Sequence, residues 1–377
     1  MAAPSPEPAP PPPPEVLAPT PVVTPTLAVP TPAEETPPPP APKEEDARKS
    51  PMSMNVWGRV GGNIHNYADP KKLNRFSQNA EVDLLMNMEV IKYFGMTANF
   101  VGTYGPTGPG KGDITGSIGI MDLIARLELD DAFHLWVGRM LVATDRSNFS
   151  GPWFIAPWNY PTFFVPFAPP VGPREGPSGR NDGATIWGQF SGGMLKYYLG
   201  AYDMFKDGNP LISGRINLAL LAPEPGYYSS STYYGAKDVL SLAIGGQYQK
   251  GAAGGFNYGM FNADLLFEKK TGVGTFDVEG AFYKYTASED PNDWTYFALA
   301  SWLTPGKVGI GALQPLVRLQ QNKTSDAIGP ATTWTLVDAQ LGYVIDSYAC
   351  RLALGYQYSN VMGTKGNNIF MGIQMQK

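Results

Sequence analysis

Cysteine is almost absent. Cys350 is the only one, which excludes an internal disulfide and any cysteine-based zinc site. Charge is scarce too: Asp, Glu, Lys and Arg make up 16 % of the chain, against roughly 25 % in soluble domains. The net charge of −5 gives no reason to propose a nucleic-acid partner. There are two histidines, His65 and His134, and no context marks a serine nucleophile, so an esterase-like site lacks its parts. No apolar run approaches the ~18 residues of a membrane-spanning helix. Met1 is followed by Ala-Ala-Pro with no basic or apolar leader region, so an exported protein would be represented by its mature form, with the signal already removed.

What is present points elsewhere. Aromatics are 12 % of the residues and glycines number 43. Low charge, many aromatics and glycines and no membrane helix together suit a membrane β-barrel, whose spanning segments alternate and so escape a hydropathy plot.

Two unequal regions follow from composition. Residues 1–51 hold about half of the 37 prolines, with runs at Pro10–Pro14 and Pro37–Pro40. Such a segment neither pairs in a sheet nor continues a helix. It is expected to be an extended, disordered arm, reaching on the order of 150 Å at ~3.1 Å per residue. It reads as a linker, or as a tether for a cell-wall or periplasmic partner. Residues 52–377 change texture and alternate with period two. In 79–90, NAEVDLLMNMEV, the face of Glu81, Asp83, Asn87 and Glu89 opposes that of Ala80, Val82, Leu84, Met86, Met88 and Val90. The same alternation recurs near 261–268, 273–285, 336–343, 351–358 and 368–376.

One stretch is locally ambiguous. SIGIMDLIARLELDDAFHLWVGRML, residues 117–141, sets Asp122, Arg126 and Glu128 among apolar residues. On a helix, Asp122 and Arg126 would pair four apart. On a strand, the even positions 118–128 form one mixed face and the odd positions a purely apolar one. The surrounding pattern favours two strands, near 117–129 and 132–140, with the odd face outward. Extending this reading gives about sixteen strands, an even number as in single-chain bacterial barrels. Short and long connections alternate, as expected for short turns at one end and long loops at the other. Residues 222–238, APEPGYYSSSTYYGAKD, break the rule: they are long where a short turn belongs. Aromatics near strand ends, Tyr197, Tyr202, Tyr283, Tyr285, Trp294, Trp302, Tyr343 and Tyr358, are expected to form interfacial girdles.

The polar faces then define a lumen. The expected inward bases are Arg59, Arg126, Lys196, Arg215, Arg318 and Arg351. The inward acids are Glu81, Asp83, Glu89, Asp122, Glu128, Asp264, Glu268, Asp277, Glu279 and Asp338. Acids outnumber bases, which favours cations or little selectivity. Arg139 stands on an otherwise apolar face and is expected at a rim or after a bulge. The longest connection, 141–183, is rich in proline and aromatics. Exposed to water it would be a liability; folded inward it would pack on the wall and narrow the lumen. It adds Arg146, Arg174 and Arg180 beside Asp145, Glu175 and Asp182, and charges at the narrowest point outweigh those on a wide wall. The sign of selectivity is open at this stage.

The runs VGRMLVATDRSNFSGPWF, GRNDGATIWGQFSGGMLKYYLGAYD and GRINLALLAPEPGYYSSSTYYGAKDVLSLAIGGQYQ resemble Gram-negative outer-membrane porins of the phosphate-selective porin O and P group, over about residues 55–377. The resemblance implies a sixteen-stranded, often homotrimeric, diffusion channel in contact with outer-membrane lipid and lipopolysaccharide, working without a cofactor. The dense ladder of arginines and lysines that phosphate-selective members use is not visible here. The terminal aromatic common in such barrels is missing as well: the chain ends Gln374-Met375-Gln376-Lys377, and Phe370 is the nearest aromatic. Two other readings fare worse. GTYGPTGPGKGD looks like a phosphate loop, but Gly110-Lys111-Gly112 lacks the required Ser or Thr. A barrel serving only as a platform for the proline-rich arm is the structural alternative.

Overall fold

The computed structural model describes residues 52–67, 75–106, 114–161, 179–203, 209–252, 257–286, 292–326, 330–361 and 363–377. The proline-rich arm, the GTYGPTGPGKGD loop beyond Pro106 and Arg174 lie outside these residues. Among the described residues the chain forms sixteen strands and one short helix.

The strands are β1 (Met52–Tyr67), β2 (Arg75–Ile91), β3 (Phe94–Pro106), β4 (Ile114–Asp130), β5 (Phe133–Leu141), β6 (Arg180–Phe190), β7 (Leu195–Tyr202) and β8 (Leu211–Ala219). They continue with β9 (Val239–Gln249), β10 (Tyr258–Thr271), β11 (Gly274–Tyr285), β12 (Asn292–Leu303), β13 (Ala312–Thr324), β14 (Thr333–Asp346), β15 (Cys350–Val361) and β16 (Thr364–Gln376). Helix α1 (Arg146–Ser150) lies between β5 and β6. Each strand pairs antiparallel with its neighbours in sequence, and β1 closes on β16 through the register Trp57↔Gln376 to Tyr67↔Gly366. Closure removes every sheet edge.

Alternation decides which face is which. Val56, Val60, Ile64, Leu199, Ile216, Ile244, Leu354 and Met371 all project outward and are exposed. Residues one step away on the same strands turn inward and are buried or half-buried, such as Lys196, Arg215, Arg351 and Gln374. A continuous exposed apolar surface of this extent is what lipid contact needs and what water forbids. Charged clusters stand at the strand ends: Lys269 pairs with Asp238 at one end of the barrel, and Lys284 and Lys323 share Asp293 at the other.

The ambiguous stretch at 117–141 resolves through a bulge. Between β3 and β4 the register steps from Asn99↔Asp122 to Phe100↔Ile120, which leaves Met121 as an extra residue. The bulge shifts the phase of the strand. Ile118 and Ile120 face outward at 88 % and 52 % exposure, while Asp122 and Ile124 are buried inside. The mixed even-numbered face therefore never exists as one surface. Three of the expected girdle aromatics are corrected as well: Tyr202, Tyr283 and Tyr285 fall on the inward phase and are buried.

Both chain ends of the barrel lie at one end, here the near end, because an even number of strands returns the chain to its start. The connections after even-numbered strands sit there. Most are short, such as 92–93, 131–132 and 272–273, but the β8–β9 connection spans 220–238. This connection folds back into the barrel.

Candidate functional site

Two segments enter the barrel from opposite ends. From the far end comes the β5–β6 connection, described over 142–161. Its start lies along β8–β10: the Thr144 carbonyl accepts from Arg215 at 3.0 Å and from Asn262 at 3.1 Å, and Ser213 donates to the Ala143 carbonyl at 2.6 Å. Asp145 then caps α1, accepting the Asn148 N–H at 3.1 Å. Beyond the helix the chain passes β1 and β13–β16 through a succession of turns and bends, and wall side chains hold its carbonyls. Arg59 donates to Pro152 at 3.2 Å and Trp158 at 2.8 Å; Arg351 donates to Ile155 at 2.7 Å and Ala156 at 3.1 Å; Arg318 donates to Asn159 at 2.8 Å. Proline-broken, irregular backbone makes no ladder of its own, so its buried carbonyls need such partners. The inward arginines supply them.

Trp158 is seated by an absence of side chains. Gly61 and Gly372 are register partners across β1 and β16. A Cβ on Gly372 would stand 2.1 Å from the Trp158 ring, and one on Gly61 3.2 Å from it. The pair of glycines forms a dent that only an indole fills.

From the near end comes 222–238. Gly193, with φ +99, lets the backbone at Glu224 pass so close that a Cβ there would lie 2.6 Å from it. Lys196 donates to the carbonyls of Gly226 at 3.2 Å and Tyr228 at 3.3 Å. Thr232 donates its hydroxyl and Tyr233 and Gly235 their N–H groups to Glu268, and the Ser231 hydroxyl donates to Glu279. The two segments also meet each other. Tyr227 packs on Phe149 of α1 with centroids 5.1 Å apart and stacks on Trp136 at 4.3 Å; Tyr348 donates to the carbonyls of both Phe154 and Thr232. With Trp187 and Tyr198 these rings make a packed aromatic core inside the barrel beside β5–β7.

Arg146 and Glu224 tie the segments through a buried fork of 2.8 and 2.6 Å, with Ser230 and Tyr233 as further partners. Burial opposes ionisation of Glu224, but Arg146 outweighs it and holds the carboxyl well below its ordinary value. Asp145 goes the other way: burial, reinforced by Asp264, raises it from 3.8 to about 6.

Among the described residues, open space lies along β1–β4. A cavity of about 500 Å³ is lined there by Asn87, Thr97, Asn99 and Asp122 on the wall and by Trp153, Tyr228 and Lys237 on the inner segments, among others. It is bounded by a hydrogen-bonded layer. The Asn99 amide donates to Asp83 at 3.2 Å and to Asp122 at 3.4 Å; the Trp153 indole donates to Asp83 at 3.1 Å; Arg180 donates to Asp122 at 3.1 and 3.3 Å.

The candidate residues thus divide. Asp83, Asp122 and Arg180 come together in that layer. Arg126 pairs with Glu128 at 3.0 Å nearby, and Glu81 is the register partner of Arg59. Arg318 and Arg351 hold the inner segment, and Arg318 also pairs with Asp338 at 2.8 Å. Asp277 and Glu279 lie buried beneath 231–235, Ser301 donating to Asp277 at 3.4 Å. Arg146 is no free loop cation but is neutralised by Glu224. Asp182 is corrected: it shares the outward phase of Ile186 and Phe190 and pairs with Arg139 at 3.6 Å on the outer face. It leaves the lumen because β6 already begins at Arg180, so alternation rather than loop geometry aims it. Glu224, Asn99 and Trp153 were absent from the candidates. The anomalous length of 222–238 was the signal for Glu224.

Closed antiparallel sheet, apolar exterior and an inwardly folded long connection define the fold: a sixteen-stranded β-barrel narrowed from within. Solved structures agree on the fold. OprB of Pseudomonas putida superposes with a TM-score of 0.61 at 9 % identity, covering 86 % of this chain and 94 % of that one. OmpF of Salmonella typhi gives 0.56 at 10 % identity, covering 86 % and 97 %. The anion-selective porin of Comamonas acidovorans gives 0.55 at 14 % identity, covering 86 % and 100 %. No protein-family model and no curated protein sequence matches the chain.

Proposed function

We propose that this protein is an outer-membrane porin through which small hydrophilic solutes diffuse passively. The observation that carries the reading is the long β5–β6 connection strapped across the interior by Arg59, Arg351 and Arg318. Those bonds do not help close the barrel. They hold a restriction inside it, beside a cavity that reaches Asn87, Thr97, Asn99 and Asp122 on the wall. A platform would need no such restriction. The apolar exterior supports residence in the outer membrane. A homotrimer fits as well. Arg139 and Asp182 form an ion pair on the outer face of the short strands β5 and β6, where lipid is a poor neighbour and a second subunit a better one. One structure similar in fold, OmpT of Vibrio cholerae, is described as a trimer form.

The test is purified protein in a planar bilayer. Stepwise conductance increments are expected as single channels insert. A barrel that inserts fully, shown by heat-modifiable migration and β-rich circular dichroism, yet conducts nothing would overturn the porin reading.

A further inference from the structure

We propose that the cavity along β1–β4 is a binding site for small aromatic carboxylates, which seat the ring among apolar side chains and the carboxylate on Lys237. The inference deepens the porin reading above and rests on it.

The cavity measures about 500 Å³, and much of its lining is unlike the wall of a water-filled passage. Trp57, Leu85, Trp153, Phe154, Tyr228 and Tyr233 all line it. Trp57 stands 5.7 Å from Trp153 and meets Phe154 edge-on at 5.4 Å, so three rings form one apolar corner. Tyr228 lies inside the barrel, 5.2 Å from Tyr227, and is nevertheless 40 % exposed, onto the cavity it lines. Apolar walls with a few polar groups, at this volume, are the make-up of a small-molecule site. A flat apolar solute releases the water that those rings otherwise hold. Trp153 comes from the far-end segment and Tyr228 from the near-end one, so the site exists only with both folded inward.

The charges decide what else the solute carries. Four charged side chains line the cavity: Asp122, Arg180, Glu224 and Lys237. Arg180 donates twice to Asp122, and Glu224 accepts the fork of Arg146. Lys237 is left over. Its Nζ donates to the Pro223 carbonyl at 2.6 Å and stands 4.0 Å from the Tyr233 ring centre, and among the described residues it pairs with no carboxylate. An ammonium carries three donors, so two remain for a solute. The other acids nearby are turned to other partners. Glu268, which acts on Lys237 electrostatically, accepts from Thr232, Tyr233 and Gly235. Asp83 is outside the lining and accepts from Asn99 and Trp153, and Glu81 is the register partner of Arg59. A sugar would need several uncommitted polar groups for its hydroxyls. One flat ring with one anionic head matches one unpaired cation among apolar walls.

The experiment is equilibrium dialysis of radiolabelled benzoate against the full chain in lipid nanodiscs, with empty nanodiscs as the blank. Saturable binding is expected. Unlabelled benzoate should displace the label; acetate, which lacks the ring, and benzylamine, which has the opposite charge, should not. Benzamide keeps the ring and loses the charge, and is expected to compete about tenfold less well, the worth of one charge-assisted hydrogen bond. Lys237→Gln is expected to weaken benzoate by a similar factor and to leave benzamide unchanged, whereas Lys237→Arg retains both. Tyr228→Ala is expected to weaken both ligands about fivefold. Because loosening of 222–238 would weaken benzoate and benzamide together, it cannot imitate the Lys237→Gln result. No saturable binding above the blank, benzamide competing as well as benzoate, or Lys237→Gln weakening both alike would overturn the site. Displacement by glucose would assign the rings to a sugar and overturn it too. A protein that conducts in a bilayer but binds no benzoate loses the site and keeps the porin reading. One that binds benzoate and never conducts keeps the site and loses the porin reading.

Discussion

Arg146 and Glu224 stand 78 residues apart in sequence and meet as a buried, two-pronged ion pair, each side chain 1 % exposed. One sits on α1, carried in from the far end; the other opens the segment carried in from the near end. The pair therefore latches two independent restrictions to each other. Removing one partner of a buried pair costs about 3–5 kcal/mol, because the other charge is stranded. Arg146→Met or Glu224→Gln alone is expected to lower the thermal transition in detergent and to raise single-channel conductance. The double replacement Arg146→Met/Glu224→Gln is expected to recover much of the loss, since it strands no charge. A double-mutant cycle on the transition temperature measures the coupling; additive single effects would refute the latch.

The latch also carries a pH signature. Glu224 is depressed in the folded protein, so its stabilisation is present above its ordinary value of 4.5 and is lost only as pH falls through the lower folded value. Conductance is expected to stay constant from neutral pH to below 4.5 as far as this pair is concerned. Glu224→Gln is expected to give the larger conductance throughout that range. A wild-type step upward near pH 5 would contradict it.

Asp145 has the opposite sign. Its carboxyl is raised to about 6 by burial and by Asp264. A raised carboxyl favours the folded state when protonated. That contribution is fully present below 3.8 and fades as pH rises through about 6. Asparagine caps a helix as well as aspartate does and carries no charge. Asp145→Asn is therefore expected to raise the transition temperature at pH 7, with little change at pH 4. Asp145→Ala loses the cap and is expected to cost about 1 kcal/mol relative to asparagine. Thermal melts of the three proteins at the two pH values check both statements.

Gly372 offers a test of how the restriction is seated. Its missing Cβ makes room for Trp158, whose main-chain N–H donates to Gln340 at 2.8 Å and whose carbonyl accepts from Arg59. Gly372→Ala places a methyl 2.1 Å from the ring, so the indole must leave. Overpacking of this kind costs about 1–3 kcal/mol. The expected outcome is a noisier, larger conductance with the barrel still formed. Adding Trp158→Ala is expected to restore stability but not the narrow pore. Unchanged conductance in Gly372→Ala would show that the ring does not hold the loop.

How much of this was legible in the sequence follows from how local each signal is. Period-two alternation is written into every strand, so the sixteen strands and their order could be read directly. The Met121 bulge could not, because a bulge is a property of two strands in register and the residues of β4 alone give no sign of it. Inward charges such as Asp83, Asp122 and Arg318 were readable from the same alternation. Their partners were not: Arg318 reaches the carbonyl of Asn159, 159 residues away, which no periodicity encodes. The aromatic core was half-visible. His134 and Trp136 alternate with Phe133, Leu135 and Val137, so β5 is apolar on both faces, the mark of a strand covered on both sides. A strand with lipid outside and Tyr227 inside satisfies that pattern; one facing water inside does not.

The outer-face pair, Arg139 and Asp182, gives a last prediction that separates monomer from assembly. The two stand 3.6 Å apart across β5 and β6. Facing lipid near a rim, a lone charge costs about 0–1 kcal/mol. Buried against a second subunit, stranding one partner of such a pair costs about 2–5 kcal/mol of association. Asp182→Ala should therefore weaken an oligomer far more than it weakens the barrel. On semi-native gels the expected result is oligomer loss at lower temperature, with the heat-modifiable shift of the monomer unmoved. Arg139→Leu/Asp182→Leu removes both charges and is expected to restore the oligomer. If Asp182→Ala leaves the oligomer's melting temperature unchanged, this face meets lipid, and subunit contacts lie elsewhere on the barrel.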